Sequence, residues 1–236
     1  DAAGEMATVT TADVETENGI VHIIDKVLIP QEALGALSDV LLTSITDLAI
    51  SVPDLSILVE ALIAADGDLP TVLANDGSFT VFAPTNEAFE AFLTANNFNS
   101  LEDIPTEVLT QVLLNHVVAG TNLSTDLTTG YVSTLSTAGP NDANLSMFIN
   151  IVDGVIINGI STVTAADNKA INGVVHIVDA VIGLPNIVDH AVANPNLTSL
   201  VGALTANNNT TFTTLLSDSE TDFTVFAPLN SAFDNF

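Results

Sequence analysis

Phe79-Thr-Val-Phe-Ala-Pro-Thr-Asn-Glu-Ala-Phe89 returns as Phe223-Thr-Val-Phe-Ala-Pro-Leu-Asn-Ser-Ala-Phe233, displaced by 144 residues. A second phrase repeats around it. Asn18-Gly-Ile-Val-His-Ile-Ile-Asp25 matches Asn172-Gly-Val-Val-His-Ile-Val-Asp179, and upstream Thr8-Val-Thr-Thr-Ala-Asp13 matches Thr162-Val-Thr-Ala-Ala-Asp167, both displaced by 154. The chain therefore reads end-phrase, start-phrase, end-phrase, start-phrase. This order predicts the tail of one unit at 1–30, a connector at 31–43, a complete unit at 44–185 and the head of another at 186–236. A sequence that starts and stops in mid-unit reads as a window on a longer array.

Each phrase carries its own structural signal. In the second copy of the end-phrase, Val174, His176 and Val178 fall on one face of a strand and Val175 and Ile177 on the other. Both faces are apolar, which predicts a strand buried on both sides. Its two histidines, His22 and His176, are predicted to be core imidazoles held by hydrogen bonds. In the start-phrase, Phe79 to Ala83 reads as a strand closed by Pro84, with Asn86 (Asn230 in the second copy) as cap of the following helix.

Between the phrases, Pro53 opens a helix with an inner stripe of Leu55, Leu58, Val59 and Leu62. Residues 105–118 read as a second amphipathic helix with Val108, Leu109, Val112 and Leu113 inward. From residue 123 the pattern becomes β-rich, and Asp153-Gly154 between Met147–Ile151 and Val155–Ile157 predicts a hairpin. Helices in the first half and strands in the second make an α+β arrangement. Gln31 to Thr43 is an insertion relative to the other unit start. Its Leu34, Leu37 and Leu41 at helical spacing predict a helical connector whose apolar stripe packs either on a neighbouring domain, as an interdomain contact, or on its own domain.

Composition bounds the function. The 236 residues include 29 acidic and two basic ones, for a formal charge of −27, yet only 13% are charged and 47% are hydrophobic. Nucleic acid and anionic membrane surfaces are excluded as partners, since both are bound through Lys and Arg. Repulsion at this charge is relieved by salt, which predicts a saline setting and a melting temperature that rises with ionic strength. There are no cysteines, hence no disulfide framework and no thiol chemistry. That absence favours a bacterial or archaeal source. No apolar run reaches the length of a membrane span. No nucleophile elbow, phosphate loop or HExxH motif is present, so the chain is read as not an enzyme. The Asp66-Gly-Asp68, Asn75-Asp-Gly77 and Asn141-Asp-Ala-Asn144 clusters read as turns. None has the spacing of a twelve-residue calcium loop; no cofactor is expected, and calcium binding at most weakly.

Together these phrases resemble the fasciclin-type domain: the Phe-Thr-Val-Phe-Ala-Pro-Thr-Asn opening block, Asn115-His-Val-Val118 as a central block, and Asn172 to Asp179 as the closing block, in family order. The resemblance implies a β-wedge or sandwich with helices packed around it, in tandem repeat, outside the cell, in adhesion or matrix proteins. It also implies candidate partner-binding residues. His116 lies where adhesive relatives have a contact segment, although the neighbouring position is Asn115 here; read from the residues alone, it is a histidine whose ring bonds to nearby backbone. Glu102, Asp103 and Ile104 lie in a short acidic-aliphatic segment of the kind relatives use for adhesion, and the same segment reads as an ordinary approach to the helix after Pro105. The implied partners are neighbouring copies or domains of the same protein, a cell-surface protein or a polysaccharide. The resulting expectation is an extracellular structural or adhesive repeat protein; the alternative is a discrete binding module for polysaccharide or a surface protein.

Overall fold

In the computed structural model, residues 8–25, 43–75, 77–206, 210–218 and 221–234 are described. The connector leucines Leu34, Leu37 and Leu41 lie outside the described residues. The chain forms two units, residues 1–42 and 43–236.

The first unit holds an antiparallel hairpin, β1 (Val9–Thr16) and β2 (Gly19–Ile24). The second is built on a seven-stranded sheet. Its strands are β3 (Phe79–Pro84), β4 (Val117–Ala119), β5 (Gly130–Ser133), β6 (Ser146–Asn150), β7 (Ile156–Ile157), β8 (Ser161–Ala170) and β9 (Gly173–Val178), in spatial order β4-β3-β9-β8-β7-β6-β5. All pairs are antiparallel except β3 with β9. Ten-residue β8, with two register shifts against β9, links the two halves of the sheet. Such irregularities bend and twist a strand.

β3 and β9 divide the core as alternation requires. Val81, Ala83 and Val175 face a helical layer with Ile45, Leu55, Leu58, Phe89, Leu109 and Leu113. Phe82 and Val178 face the wedge interior, with Met147, Ile149, Ile157 and Ile182. The start-phrase and end-phrase are thus the two central strands. At Gly173, φ 153°, a Cβ would collide with the Phe79 carbonyl oxygen. Glycine is required there for want of space.

The helices of the second unit are α1 (Ile45–Ser51), α2 (Ser56–Ala64), α3 (Leu69–Ala74), α4 (Asn86–Ala95) and α5 (Thr106–Asn115), then α6 (Ile187–Ala193), α7 (Thr198–Leu204), α8 (Thr211–Leu216) and α9 (Asn230–Phe233). α1 and α6 begin with the same capping box, Ser44 with Asp47 and Asn186 with Asp189, which satisfies two free backbone donors reciprocally. Leu55, Leu58 and Leu62 are buried as expected.

Three local expectations are corrected. The fifth helix stops at Asn115 and the chain turns at His116 into β4, so residues 117–119 belong to the sheet. Val108 is 41% exposed, on the outer side of a helix whose Leu109, Val112 and Leu113 face inward. Asn86 does not cap its own helix; Thr85 does, accepting from Ala88 N. Asn86 instead reaches across to α2: its amide donates to the Pro53 carbonyl and Ser56 Oγ, and its Oδ1 accepts from Ile57 N. Asn230 makes the same bridge to Pro195 O and Ser199 N, so the repeated Asn is a helix-to-helix strut.

Candidate functional site

The histidine of the central block is a tether inside the fold. His116 is the C-cap of α5 and is 2% exposed. Its Nε2 accepts from Ile182 N at 2.8 Å, so Nδ1 carries the proton and donates to the Val112 carbonyl at 2.7 Å; the tautomer follows from these partners. Burial depresses its pKa to about 4, against the smaller opposing effect of the Val112 carbonyl. Asn115 is fully buried and donates to Gly183 O at 2.8 Å, while its Oδ1 has no partner among the described residues. Together they bind α5 to the chain leaving β9. In this conformation neither side chain is reachable by a partner.

The acidic-aliphatic segment divides. Ile104 is 4% exposed and anchors the turn in the core. Glu102 and Asp103 face out, Glu102 accepting from Ser100 Oγ and Asp103 from the backbone and side-chain nitrogens of Asn99. These Asn99 bonds hold the Asp103 carboxyl below its usual range.

His176 is buried as expected. Its Nδ1 accepts from Asp167 N and its Nε2 donates to Asn122 O. Ser124 donates both its N–H and its hydroxyl to the Asp167 carboxylate, which lowers that carboxyl's pKa. Serine, histidine and aspartate thus meet without forming a nucleophilic relay, because the hydroxyl is given to the carboxylate and both imidazole nitrogens are committed to the backbone. His22, the repeat of His176, is exposed in its hairpin, correcting the expected core role there. The hairpin unit has no counterpart, among its described residues, of the β3 strand and the loop at Asn122 that enclose His176.

Two surface features bear on function; the first had no signal in the sequence, and the second was marked only by the repeat restarting at residue 186. The first is a cleft of about 450 Å³ beside β3 and β4. Phe82, Leu127, Val132 and Ile149 give it an apolar floor, and Asn122, Asp126, Thr128 and Ser133 a polar rim. Its walls come from segments far apart in the chain. The second is the joint between residues 44–185 and the helices from residue 186 onward. Helix α6 starts directly after Pro185 and meets β5, the far edge of the sheet, at Tyr131. Tyr131, on edge strand β5, receives a hydrogen bond at its hydroxyl from the Asn194 amide at 3.2 Å, and its ring meets His190 edge-on at 5.5 Å. A Cβ on Gly159 would already touch Ala193. Val192 and Asp189 share a cleft with Asn158, Ile160 and Pro185. His190 therefore sits where helix α6 meets edge strand β5, and the equivalent helix α1 has Leu48.

Among the described residues no three His, Cys, Asp or Glu side chains converge on a metal-sized site, and no helix is long and apolar enough to cross a membrane.

Comparison with known proteins agrees with this architecture. The family described as "Fasciclin domain" matches residues 2–30 and 53–185. Human periostin is 30% identical over 227 residues, covering 92% of this chain and 23% of periostin, so the chain spans less than a quarter of that relative. A Synechocystis protein named sll1483 is 34% identical over 139 residues, 59% of this chain and 72% of that protein. Among solved structures, a FAS1 domain pair from the insect cell adhesion molecule fasciclin I superposes with a TM-score of 0.50 at 21% identity, covering 75% of this chain and 60% of that one. At that identity the likeness shows the fold.

Proposed function

This chain belongs to the fasciclin domain family, and from that premise we propose that it is an extracellular structural and adhesive repeat protein. Tandem fasciclin-type domains build a cell-surface fibre, matrix or adhesin. The observation that carries the proposal is the repeated capping box just after Pro185, Asn186 with Asp189 as Ser44 with Asp47, on a helix whose His190 and Asn194 meet edge strand β5 at Tyr131. Domains joined this way are beads held at a set angle, and adhesion sums over many weak contacts. The partners are neighbouring copies or domains of the same protein. Glu102 and Asp103 are the exposed members of the acidic-aliphatic segment and are its contact residues in this reading. The connector 31–43, with Leu34, Leu37 and Leu41, sets the other joint. A −27 chain is suited to a saline exterior, where screening shortens repulsion, and calcium acts as a diffuse counterion. Electron microscopy of the native protein in its own salt tests this. Threads with a regular axial repeat are expected; short separate particles would refute the fibre.

The cleft at Phe82 and Asn122 favours a second reading, a discrete binding module for polysaccharide or a surface protein. An amphipathic pocket of this size suits a sugar ring or an aliphatic side chain. It predicts saturable binding by residues 44–185 alone, abolished by Asn122→Ala together with Asp126→Ala. Neither reading assigns a catalytic role.

A further inference from the structure

The joint at Pro185 contains a group the adhesive reading does not use. His190 is one turn into α6, and its Nδ1 is buried with no hydrogen-bond partner among the described residues. With nothing there to accept a hydrogen bond, Nδ1 is assigned as the unprotonated nitrogen of the neutral ring. Protonation would turn it into a charged N–H donor facing no acceptor, which is costly in a buried place. The surroundings offer little compensation. The ring meets the phenol ring of Tyr131, whose hydroxyl is engaged with Asn194. The helices packed against α6, namely α7 and α8, carry Thr, Ser, Leu, Val, Gly, Ala and Phe and no titratable side chain. Asp189, on the same helix, is the charged neighbour that favours the protonated form.

We propose that this joint is an acid-sensitive clasp: helix α6 rests on the β5 edge through Tyr131, His190 and Asn194 while His190 is neutral, and is released when His190 takes up a proton. The inference uses the tandem reading only in treating residue 186 as the start of a unit. It survives if no fibre is found, because the contact lies within this chain.

The sign is set by burial, which holds the docked imidazole below its ordinary value of 6.5 despite the opposing pull of Asp189. The docked state then binds fewer protons than the released one. Docking is complete above pH 6.5 and is lost as the pH falls below it, by about tenfold per unit of separation between the docked and free values. The equivalent position in the preceding copy, Leu48, does not titrate, so the clasp is a property of this joint and not of every unit.

Hydrogen exchange on the full chain from pH 8 to 5 tests the proposal, expressed as protection factors so that intrinsic exchange is removed. Within this window the folded His116 ring stays neutral, and the stability its burial loses below pH 6.5 is read from β9 as a background common to the unit. Amides of 187–193 are expected to lose more protection on acidification than those of β9. His190→Leu, or His190→Gln if leucine disturbs the helix, is expected to remove the pH response. Tyr131→Phe, which deletes only the hydroxyl, is expected to lower protection at every pH without shifting the midpoint. Tyr131 is the single tyrosine and the chain has no tryptophan, so its emission reports on the ring contact directly. Wild-type protection that is constant from pH 8 to 5 overturns the proposal. So does an equal loss in His190→Leu. A change in Tyr131 emission with no change in protection also overturns it, since the imidazole would then titrate in place without release.

Discussion

The hairpin at 9–24 and the pair β8–β9 are the same object in two settings. Their registers are identical under a shift of 154 residues, from Val9 opposite Ile24 and Val163 opposite Val178 to Thr16 opposite Gly19 and Ala170 opposite Gly173, including both irregularities. Side-chain bonds repeat too. Asp13 N donates to His22 Nδ1 as Asp167 N donates to His176 Nδ1, both at 3.2 Å, and Asp25 and Asp179 each accept from the threonine amide opposite. Asp13 and Asp167 share the left-handed conformation, φ 57° and 61°. Yet every residue of β1 and β2 is exposed, whereas β9 is almost wholly buried. The hairpin's shape is written locally in strand alternation, turn and side-chain bonds. The burial of β9 is supplied by β3 and the helical layer, which are remote in sequence.

The comparison can be broken at its glycines first. Gly173→Ala drives a Cβ into the Phe79 carbonyl and is expected to destabilise unit 43–236 by more than about 4 kcal/mol, or to prevent its folding. Gly19→Ala, with nothing within 4 Å of its Cβ, is expected to change hairpin protection by less than about 0.5 kcal/mol. Urea unfolding followed by Tyr131 emission reads the first and hydrogen exchange of 19–24 the second. Equal effects at the two sites would show that the hairpin is as enclosed as β9.

The repeated phenylalanines extend the contrast to the start-phrase. Phe82 is fully buried and Phe226 is 93% exposed. Phe82→Ala is expected to cost about 3–5 kcal/mol, as large-to-small core changes do, and Phe226→Ala under about 1 kcal/mol, both by urea midpoint.

The histidines provide a pH test. His116 has a folded pKa of about 4 against 6.5 when unfolded. Its neutral burial contributes stability that is complete above pH 6.5 and is lost as pH falls from there towards 4. At 1.36 kcal/mol per pKa unit this amounts to roughly 3 kcal/mol. An NMR titration should show the His116 ring neutral at pH 5; a ring already charged at that pH would mean that the tether to Ile182 is broken.

The smallest effect sharpens the comparison from the other side, because it should be equal in both copies. Asn86→Ala and Asn230→Ala each remove one strut between a helix start and its neighbour, and each is expected to cost about 1–2 kcal/mol. Local hydrogen exchange of 56–64 and 198–204 would read them. A loss confined to Asn86 would mean that the strut depends on the finished domain.

Legibility in the sequence divides along the same line. The two phrases, the double-faced strand at 173–178, the helical stripe at Leu55, Leu58 and Leu62, and the hairpin at Asp153-Gly154 are visible because each is a periodicity or a turn within a few residues. Asn86 defeats a local reading because capping is judged from the next few residues, while its partners lie 29 to 33 residues upstream. Val108 is misplaced by periodicity because one turn of helix leaves two ways to orient a four-residue apolar stripe. The cleft at Phe82 has no signal, since it is assembled from segments that meet only in the fold; the contact at Tyr131 is announced only on one side, by His190 standing where the equivalent helix has Leu48.

By itself, then, the sequence determined the repeat, the hairpin with its register and irregularities, the α+β class and the acidic, cysteine-free character of the surface, because these depend on neighbours along the chain or on composition. The tertiary structure decided which copy of each phrase is buried, which partners hold His116 and Asn115 inside the fold, and that His190 meets Tyr131. Those outcomes depend on what a side chain meets across the fold, where desolvation and hydrogen-bond partners are set by residues tens of positions away.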